Sequence, residues 1–285
     1  MRGFALLGRR LLQTAGAHGR ILLTAGVILA AARANATNTN DPLAQLLAAT
    51  FKISGHESSA TCFLLQPPAT AGWSNGAAIL ITAAHALAEF PGAECRLVLR
   101  SSQGEGGWLR HEVSLPIRTG DQPRWVRLPD ADVAALRWTV PAGVTCHPLP
   151  YERLARPADF TNGRVALGGD AWIFSFPAQL EANDAGLPVL RHGAVSSLPL
   201  APLGKHGTFL VDFATFGGDS GAPVLLYDRG RPEVPALVAG VVLGLHRQTD
   251  KVTMPFEERT VHHPLGLAFA AHADVVRRTV DLLLK

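Results

Sequence analysis

Short apolar runs separated by turn residues recur along the chain from Ala60 onward. A first series reads ATCFLL (60–65), AAILIT (77–82), CRLVLR (95–100), HEVSLPI (111–117) and DVAALRW (132–138). A second reads AWIFSF (171–176), VLRHGAVSS (189–197), TFLVDF (208–213), APVLLY (222–227), ALVAGVVLGL (236–245) and GLAFA (266–270). Runs of this length and spacing predict short strands in antiparallel barrels or sandwiches, not a parallel sheet laced with helices. The Pro-rich stretch from Pro141 to Pro157 lies between the two series and reads as a crossover. The last segment has a different period. Val275, Val276, Val280 and Leu283 form one apolar stripe behind Asp274, a good N-cap, which predicts a C-terminal amphipathic helix.

The other end of the chain reads as a targeting segment. Residues 1–34 hold Arg2, Arg9, Arg10, Arg20 and Arg33 and no acid. An apolar run, Ile21 to Ala32, follows the basic front, and Ala32-Arg33-Ala34 and Ala34-Asn35-Ala36 each fit a small-residue cleavage signal. The run is shorter than the roughly 20 residues that span a bilayer. A removable secretory signal is therefore expected over 1–34, against an uncleaved anchor or a buried helix. Asn35 to Pro42 is polar and reads as a loose leader, and 35–59 as an N-terminal segment ahead of the strands.

Charge and composition then change meaning. The 285 residues carry a formal net charge of +3, which suggests an acidic partner. Removing the five N-terminal arginines leaves 21 basic residues against 23 acidic ones, so a mature chain is slightly acidic and no nucleic-acid partner is expected. With 47% hydrophobic and only 17% charged residues, the chain has ample material for a large core. Three cysteines are too few for a disulfide-stapled miniprotein. No Cys or His spacing suggests zinc, and no cofactor is implied. His262 and His263 are adjacent, so on a strand they would face opposite ways; they read as a solvated loop before the last strand.

Three segments hold candidate chemistry. ITAAHAL places His85 just past an apolar strand, PDADVAAL places Asp132 at the front of another, and FGGDSGAPV places Ser220 in a Gly-flanked turn. Each alone is an ordinary structural feature. Together they supply a nucleophile, a base and an orienting carboxylate: a Ser hydroxyl reacts only when a neutral imidazole takes its proton, and a carboxylate fixes that imidazole's tautomer. Acyl transfer also needs backbone N–H groups aimed at the developing oxyanion. Gly217 and Gly218 let the chain approach closely, making the N–H groups of Gly218 and Ser220 the candidates.

TAAH around His85, DVAAL at Asp132 and GDSGAPV around Ser220, in that order and separated by 47 and 88 residues, resemble the three signature segments of the chymotrypsin-like (trypsin-like) serine peptidases, in particular bacterial secreted members. The resemblance spans about Ala60 to Lys285. It implies an all-β fold of two antiparallel six-stranded barrels with a C-terminal helix, the first over 60–150 and the second over 151–285. It further implies a cleft between the barrels with His85 and Asp132 on the first and Ser220 on the second. The implied activity is hydrolysis of protein or peptide substrates by a secreted or periplasmic endopeptidase with no stable membrane span after signal removal. A non-catalytic binding module on the same fold and an esterase are the competing functions.

By the same resemblance, Ala214 lies at the base of the primary specificity pocket, which disfavours cleavage after Lys or Arg. Thr215 with His246 would suit an acidic side chain, as in glutamyl endopeptidases, if His246 lines the pocket. If Gly240–Val242 takes that place, the pocket is small and apolar. Gly266 aligns with a glycine at the pocket mouth. Zymogens of the family pair a new N-terminus with the residue corresponding to Asp219. Lys52-Ile53-Ser54-Gly55 is faintly similar to an activation site, while its plainer reading is the start of the first strand. One bridge between Cys62 and Cys95 is compatible with export.

Overall fold

A computed structural model describes residues 40–73, 76–103, 107–144 and 146–285; the expected signal segment lies outside them. The chain enters through α1 (Pro42–Ala49). Asp41 caps it by accepting from the Leu43 N–H at 3.1 Å, and Pro42 occupies the first turn, where its missing donor costs nothing. Leu43, Leu46 and Ala49 are buried. The last carbonyls of α1 are met by the guanidinium of Arg100, which donates to Leu47 O, and to Thr50 O at 2.6 Å, and lies 4.8 Å from the Phe51 ring centroid. A cation suits a helix C-terminus. Burial lowers this guanidinium to about 9.

The first half is a seven-stranded curled sheet. Its strands are β1 (Thr50–Gly55), β2 (Ser58–Leu65), β3 (Ala77–Ala83), β4 (Glu94–Ser102), β5 (Trp108–Pro116), β8 (Trp125–Val126) and β9 (Val133–Thr139). The two-residue strands β6 (Arg118–Thr119) and β7 (Gln122–Pro123) pair only with each other. The order is β5-β4-β1-β2-β3-β9-β8. This half-barrel differs from the expected six-stranded barrel in count and in staying open. It also starts at Thr50, ten residues before the expected limit at Ala60, with Phe51 to Ser54 in its first strand. Short α2 (Ala84–Glu89) follows β3 directly. In the β3–β9 ladder Ala83 pairs with Val133. The residues just beyond those two, His85 and Asp132, therefore leave the sheet side by side.

The connection holds α3 (Pro157–Thr161). The second half comprises β10 (Asp170–Ser175), β11 (Val189–Val195), β12 (Thr208–Asp212), β13 (Pro223–Leu226), β14 (Leu237–Met254) and β15 (Glu257–His272). These close into a barrel in the order β10-β11-β12-β15-β14-β13. In its β13–β14 ladder Pro223 pairs with Val241, which carries the residues before β13, including Ser220, alongside Val242 and Leu243. The all-β architecture ends, as expected, in a helix, α4 (Ala273–Leu283), with Val275, Val276 and Val280 buried. Its N-cap is His272, not Asp274; Asp274 sits in the first turn, where a carboxylate still favours the helix dipole.

Two further readings change. All three cysteines are free. Cys62 is in β2 and Cys95 in β4, with β1 between them. Two strand spacings, roughly 9–10 Å, exceed the Cα separation a disulfide tolerates, about 7 Å at most. Burial raises all three thiols, Cys95 to about 12 and Cys146 to about 11, so none is poised to react. His262 and His263 are on strand β15, not in a loop, and they do face opposite ways: His262 meets Thr249 at 2.9 Å and His263 meets Asp250 at 3.4 Å.

Candidate active site

His85 enters from the first turn of α2 and Asp132 from the residue before β9. The Ala84 N–H donates to Asp132 O at 3.1 Å, clipping the two segments together. Both oxygens of the Asp132 carboxylate then serve His85. Oδ1 accepts from its backbone N–H at 2.8 Å, and Oδ2 from Nδ1 at 2.5 Å. With Nδ1 donating, Nε2 keeps its lone pair, and it faces Ser220 Oγ at 3.1 Å. The hydrogen bond with Asp132 raises the His85 pKa above its ordinary value. Burial opposes the shift, and the charges of Asp132 and Glu89 add to it.

Ser220 is held by close backbone contacts from both halves. Its carbonyl accepts from the Thr61 N–H of β2 at 2.9 Å, and the Gly221 N–H donates to Val242 O at 2.7 Å. Gly218 and Gly221 have φ of 99° and 90°. A Cβ on Gly218 would lie 2.2 Å from Phe176 O, and one on Gly221 2.0 Å from Thr61 O. Glycine is therefore required at both positions for the conformation and for the space. Among the described residues, neither the Gly218 nor the Ser220 N–H donates to a protein acceptor. The Ser220 hydroxyl also reaches Leu243 O at 3.2 Å. One hydroxyl proton thus has two acceptors, the imidazole and that carbonyl.

Three contributors were not legible in advance. Arg191 of β11 holds the loop before Ser220. Its guanidinium donates to Asp219 Oδ1 at 2.5 Å, to Ser175 Oγ at 2.6 Å and to Ala214 O. Asp219 is fully buried, and its other oxygen accepts from the Phe216 N–H at 2.7 Å. A buried acid in GDSG implies a cation partner, but no pattern in the sequence says which of 26. Thr61 is the second contributor: it is buried, and its hydroxyl donates to Gly218 O at 2.7 Å while accepting from the Phe176 N–H at 3.3 Å. The third is the Leu243 carbonyl, a backbone group with no sequence signal.

The pocket candidates fall as follows. Ala214 is exposed, and its carbonyl is bound by Arg191. Thr215 is buried, with its hydroxyl donated to Phe213 O at 3.3 Å. Gly266 has φ of 73°, and nothing lies where its Cβ would be. His246 is exposed, with its ring 5.5 Å from that of Phe269. No hydrogen bond joins His246 to Thr215 among the described residues. Strand β14 passes Ser220 at Val242 and Leu243, and His246 lies three residues beyond Leu243 along it. Ile53 is fully buried in β1, which is paired on both sides, and Asp219 already has its cation. Among the described residues no group of three or more His, Cys, Asp or Glu is gathered to hold a metal, and no helix is long and apolar enough to cross a membrane.

No family model and no curated protein matches the chain. Among solved structures, it is similar to an inactive serine-to-alanine form of Rv3671c from M. tuberculosis. That match has 17% identity and a TM-score of 0.46, over 87% of this chain and 92% of the other. It is also similar to human heparin binding protein, at 14% identity and a TM-score of 0.46, over 84% of this chain and 92% of that one. A mutant of the human protein gives 15% and 0.49 over the same shares. The closed barrel, the half-barrel and the C-terminal helix agree with the trypsin-like fold expected from the sequence.

Proposed function

We propose that the chain is an exported serine endopeptidase, and that His85, Asp132 and Ser220 act together in it. The observation that carries this reading is the unbroken hydrogen-bond chain from Asp132 Oδ2 through the imidazole to Ser220 Oγ, beside two unused N–H donors. In the proposed first step Ser220 Oγ attacks the scissile carbonyl carbon while His85 Nε2 takes the hydroxyl proton. Asp132 holds the imidazole in place and offsets the charge of the imidazolium. The N–H groups of Gly218 and Ser220 meet the carbonyl oxygen as it becomes negative. His85 then gives its proton to the leaving amine, and an acyl ester on Ser220 remains. Water, deprotonated by the same Nε2, resolves it.

Arg191 supports this reading in a second way. It supplies Asp219 with an internal cation, so the loop needs no newly cut N-terminus. The plain strand reading of Lys52–Gly55 is the one we carry forward. For specificity we favour a small, apolar primary pocket. Thr215 has spent its hydroxyl on Phe213, and His246 lies outward of the residues beside Ser220.

Digestion of an unfolded, reduced protein tests the function. The full chain is expected to release internal peptides identifiable by mass spectrometry, after small apolar residues, and the Ser220→Ala chain is expected to release none. Equal cleavage by both chains would remove Ser220 from the reaction.

A further inference from the structure

Gly217 and Gly218 flank the peptide unit that carries the first oxyanion donor. Nothing beyond its chain neighbours lies within 4 Å of where a Gly217 Cβ would be, so no side-chain steric barrier opposes rotation of that unit. In a planar trans peptide the C=O and the N–H point opposite ways. Fixing Gly217 O therefore aims the Gly218 N–H, and turning the unit over would present a carbonyl in its place. The Ala178 N–H fixes it, donating to Gly217 O at 2.6 Å.

Ala178 belongs to the loop between β10 and β11, whose own conformation is strained. Ala178 and Gln179 have φ of 48° and 66°, a left-handed conformation that is costly for residues with a Cβ. The groups that hold this turn come from the first half of the molecule. Lys52 Nζ of β1 donates to Gln179 O at 2.9 Å and to Glu181 Oε1 at 3.0 Å. Arg110 of β5 donates to both oxygens of Glu181, the longer bond being 3.3 Å. The Gln179 side-chain amide donates to Glu57 O, in the turn between β1 and β2, at 2.8 Å. At the far end of the loop Arg100 donates to Gly186 O at 3.3 Å. The side chains of Lys52 and Glu181 are only 12% and 17% exposed, so salt and water screen this pair less than a surface pair. Burial opposes ionisation of Glu181, yet the hydrogen bonds and charges of Arg110 and Lys52 hold its carboxyl below the ordinary value.

We propose that Glu181 is a positioning residue for the oxyanion donor: gripped by Lys52 and Arg110, it holds the left-handed turn at Ala178 and Gln179, and that turn keeps the Gly218 N–H aimed into the site. The loop belongs to the second half and its grip to the first. The donor is therefore set only when the two halves are docked, which couples the oxyanion hole to the same interface that brings Ser220 to His85. Glu181 acts through the turn and not on the reacting atoms, so its effect falls on charge stabilisation at the carbonyl oxygen and leaves the proton transfer to His85 as it is.

This inference deepens the endopeptidase reading and rests on it for the kinetic consequence alone; the setting of the Gly217–Gly218 peptide is read without any activity. In the full chain labelled with carbonyl-13C and 15N glycine, only Gly-Gly pairs give a carbonyl–amide correlation by NMR, and Gly217–Gly218 is one of three such pairs in the sequence. Its signal is identified by its loss in Gly217→Ala. Glu181→Gln is expected to shift or split that signal and to leave the Gly168–Gly169 signal in place. The rate at which a fluorophosphonate labels Ser220 should fall about 10- to 50-fold, less than the roughly 100- to 1,000-fold of losing an oxyanion donor outright. The acid limb of its pH profile should not move, because His85 and Asp132 are untouched. Adding Ala178→Gly should return part of the rate, since glycine takes the left-handed turn at no steric cost, whereas a chain merely loosened in packing would gain nothing from it. Arg110→Met, which removes one of the two cations, should act in the same direction, so the answer does not hang on one variant folding. An unmoved Gly217–Gly218 signal would overturn the proposal whatever the rate. An unchanged labelling rate, a displaced acid limb, or a loss that Ala178→Gly leaves unrepaired would overturn it too. A moved signal in a chain that the fluorophosphonate does not label even before mutation would keep the positioning link and reject the peptidase reading.

Discussion

An Asp132→Asn chain is expected to lose about four orders of magnitude in kcat/KM on any substrate that the unmutated chain cleaves, with little change in folding. The carboxylate now accepts from both the backbone and the ring N–H of His85. An amide can donate to Nδ1 instead, leaving the proton on Nε2, where it cannot take one from Ser220. The pH profile separates this from general damage. His85 must be neutral to act as base, and the hydrogen bond with Asp132 raises its pKa. The acid limb of kcat/KM should therefore lie above the ordinary histidine value of about 6.5. Removing the carboxylate should move the residual limb downward. Steady-state kinetics from pH 5 to pH 9 read both effects; a limb that stays in place would show that Asp132 does not act on His85.

The second large effect belongs to Arg191. Replacing it with Met leaves the fully buried Asp219 carboxylate without its cation, and breaking a buried pair on one side costs about 3–5 kcal/mol. Urea unfolding should show that loss. Activity should fall with it, because Asp219 and Ala214 bracket the loop that places Gly218 and Ser220. The double change Arg191→Met with Asp219→Asn removes the stranded charge, so stability should partly return while kcat/KM stays low. Recovery of both would mean that Arg191 acts only as a charge partner and does not position the loop. An Arg191→Met chain as stable and active as the parent would contradict the internal-brace account.

Whether a feature could be read from the sequence depended on how it is stabilised. Strands β2, β3, β4, β9, β10 and β13 bury apolar runs, so their residues announce them, and the predicted limits fall within about two residues of those observed. His85, Asp132 and Ser220 were legible because each is a special residue beside such a run. The outer stretch of β14 and β15, Gln248 to His263, was not. Both its faces are wet, polar and charged residues outnumber Val252, Met254 and Val261 there, and its order comes from the ladder between β14 and β15. For β1, the start of a strand at Phe51 to Ser54 was legible, whereas its place between β2 and β4, with Phe51 and Ile53 buried, was not. The place of His246 depended on register, and register is set by the pairing of Val242 with the Ser220 turn, a backbone choice that side chains do not encode. Arg191 and Thr61 act across 28 and 157 positions respectively, on Asp219 and Gly218; the first pairing arises once the closed barrel has formed, the second only once the two halves are folded against each other.

The central claim is that the Ser220 hydroxyl is activated by His85. It is tested most directly by treating the full chain with a fluorophosphonate at neutral pH and mapping the adduct by mass spectrometry. The account predicts one adduct, on Ser220, formed by the native chain and lost in His85→Ala or after unfolding in urea. A native chain that leaves Ser220 unlabelled, or one that labels equally without His85, would contradict it.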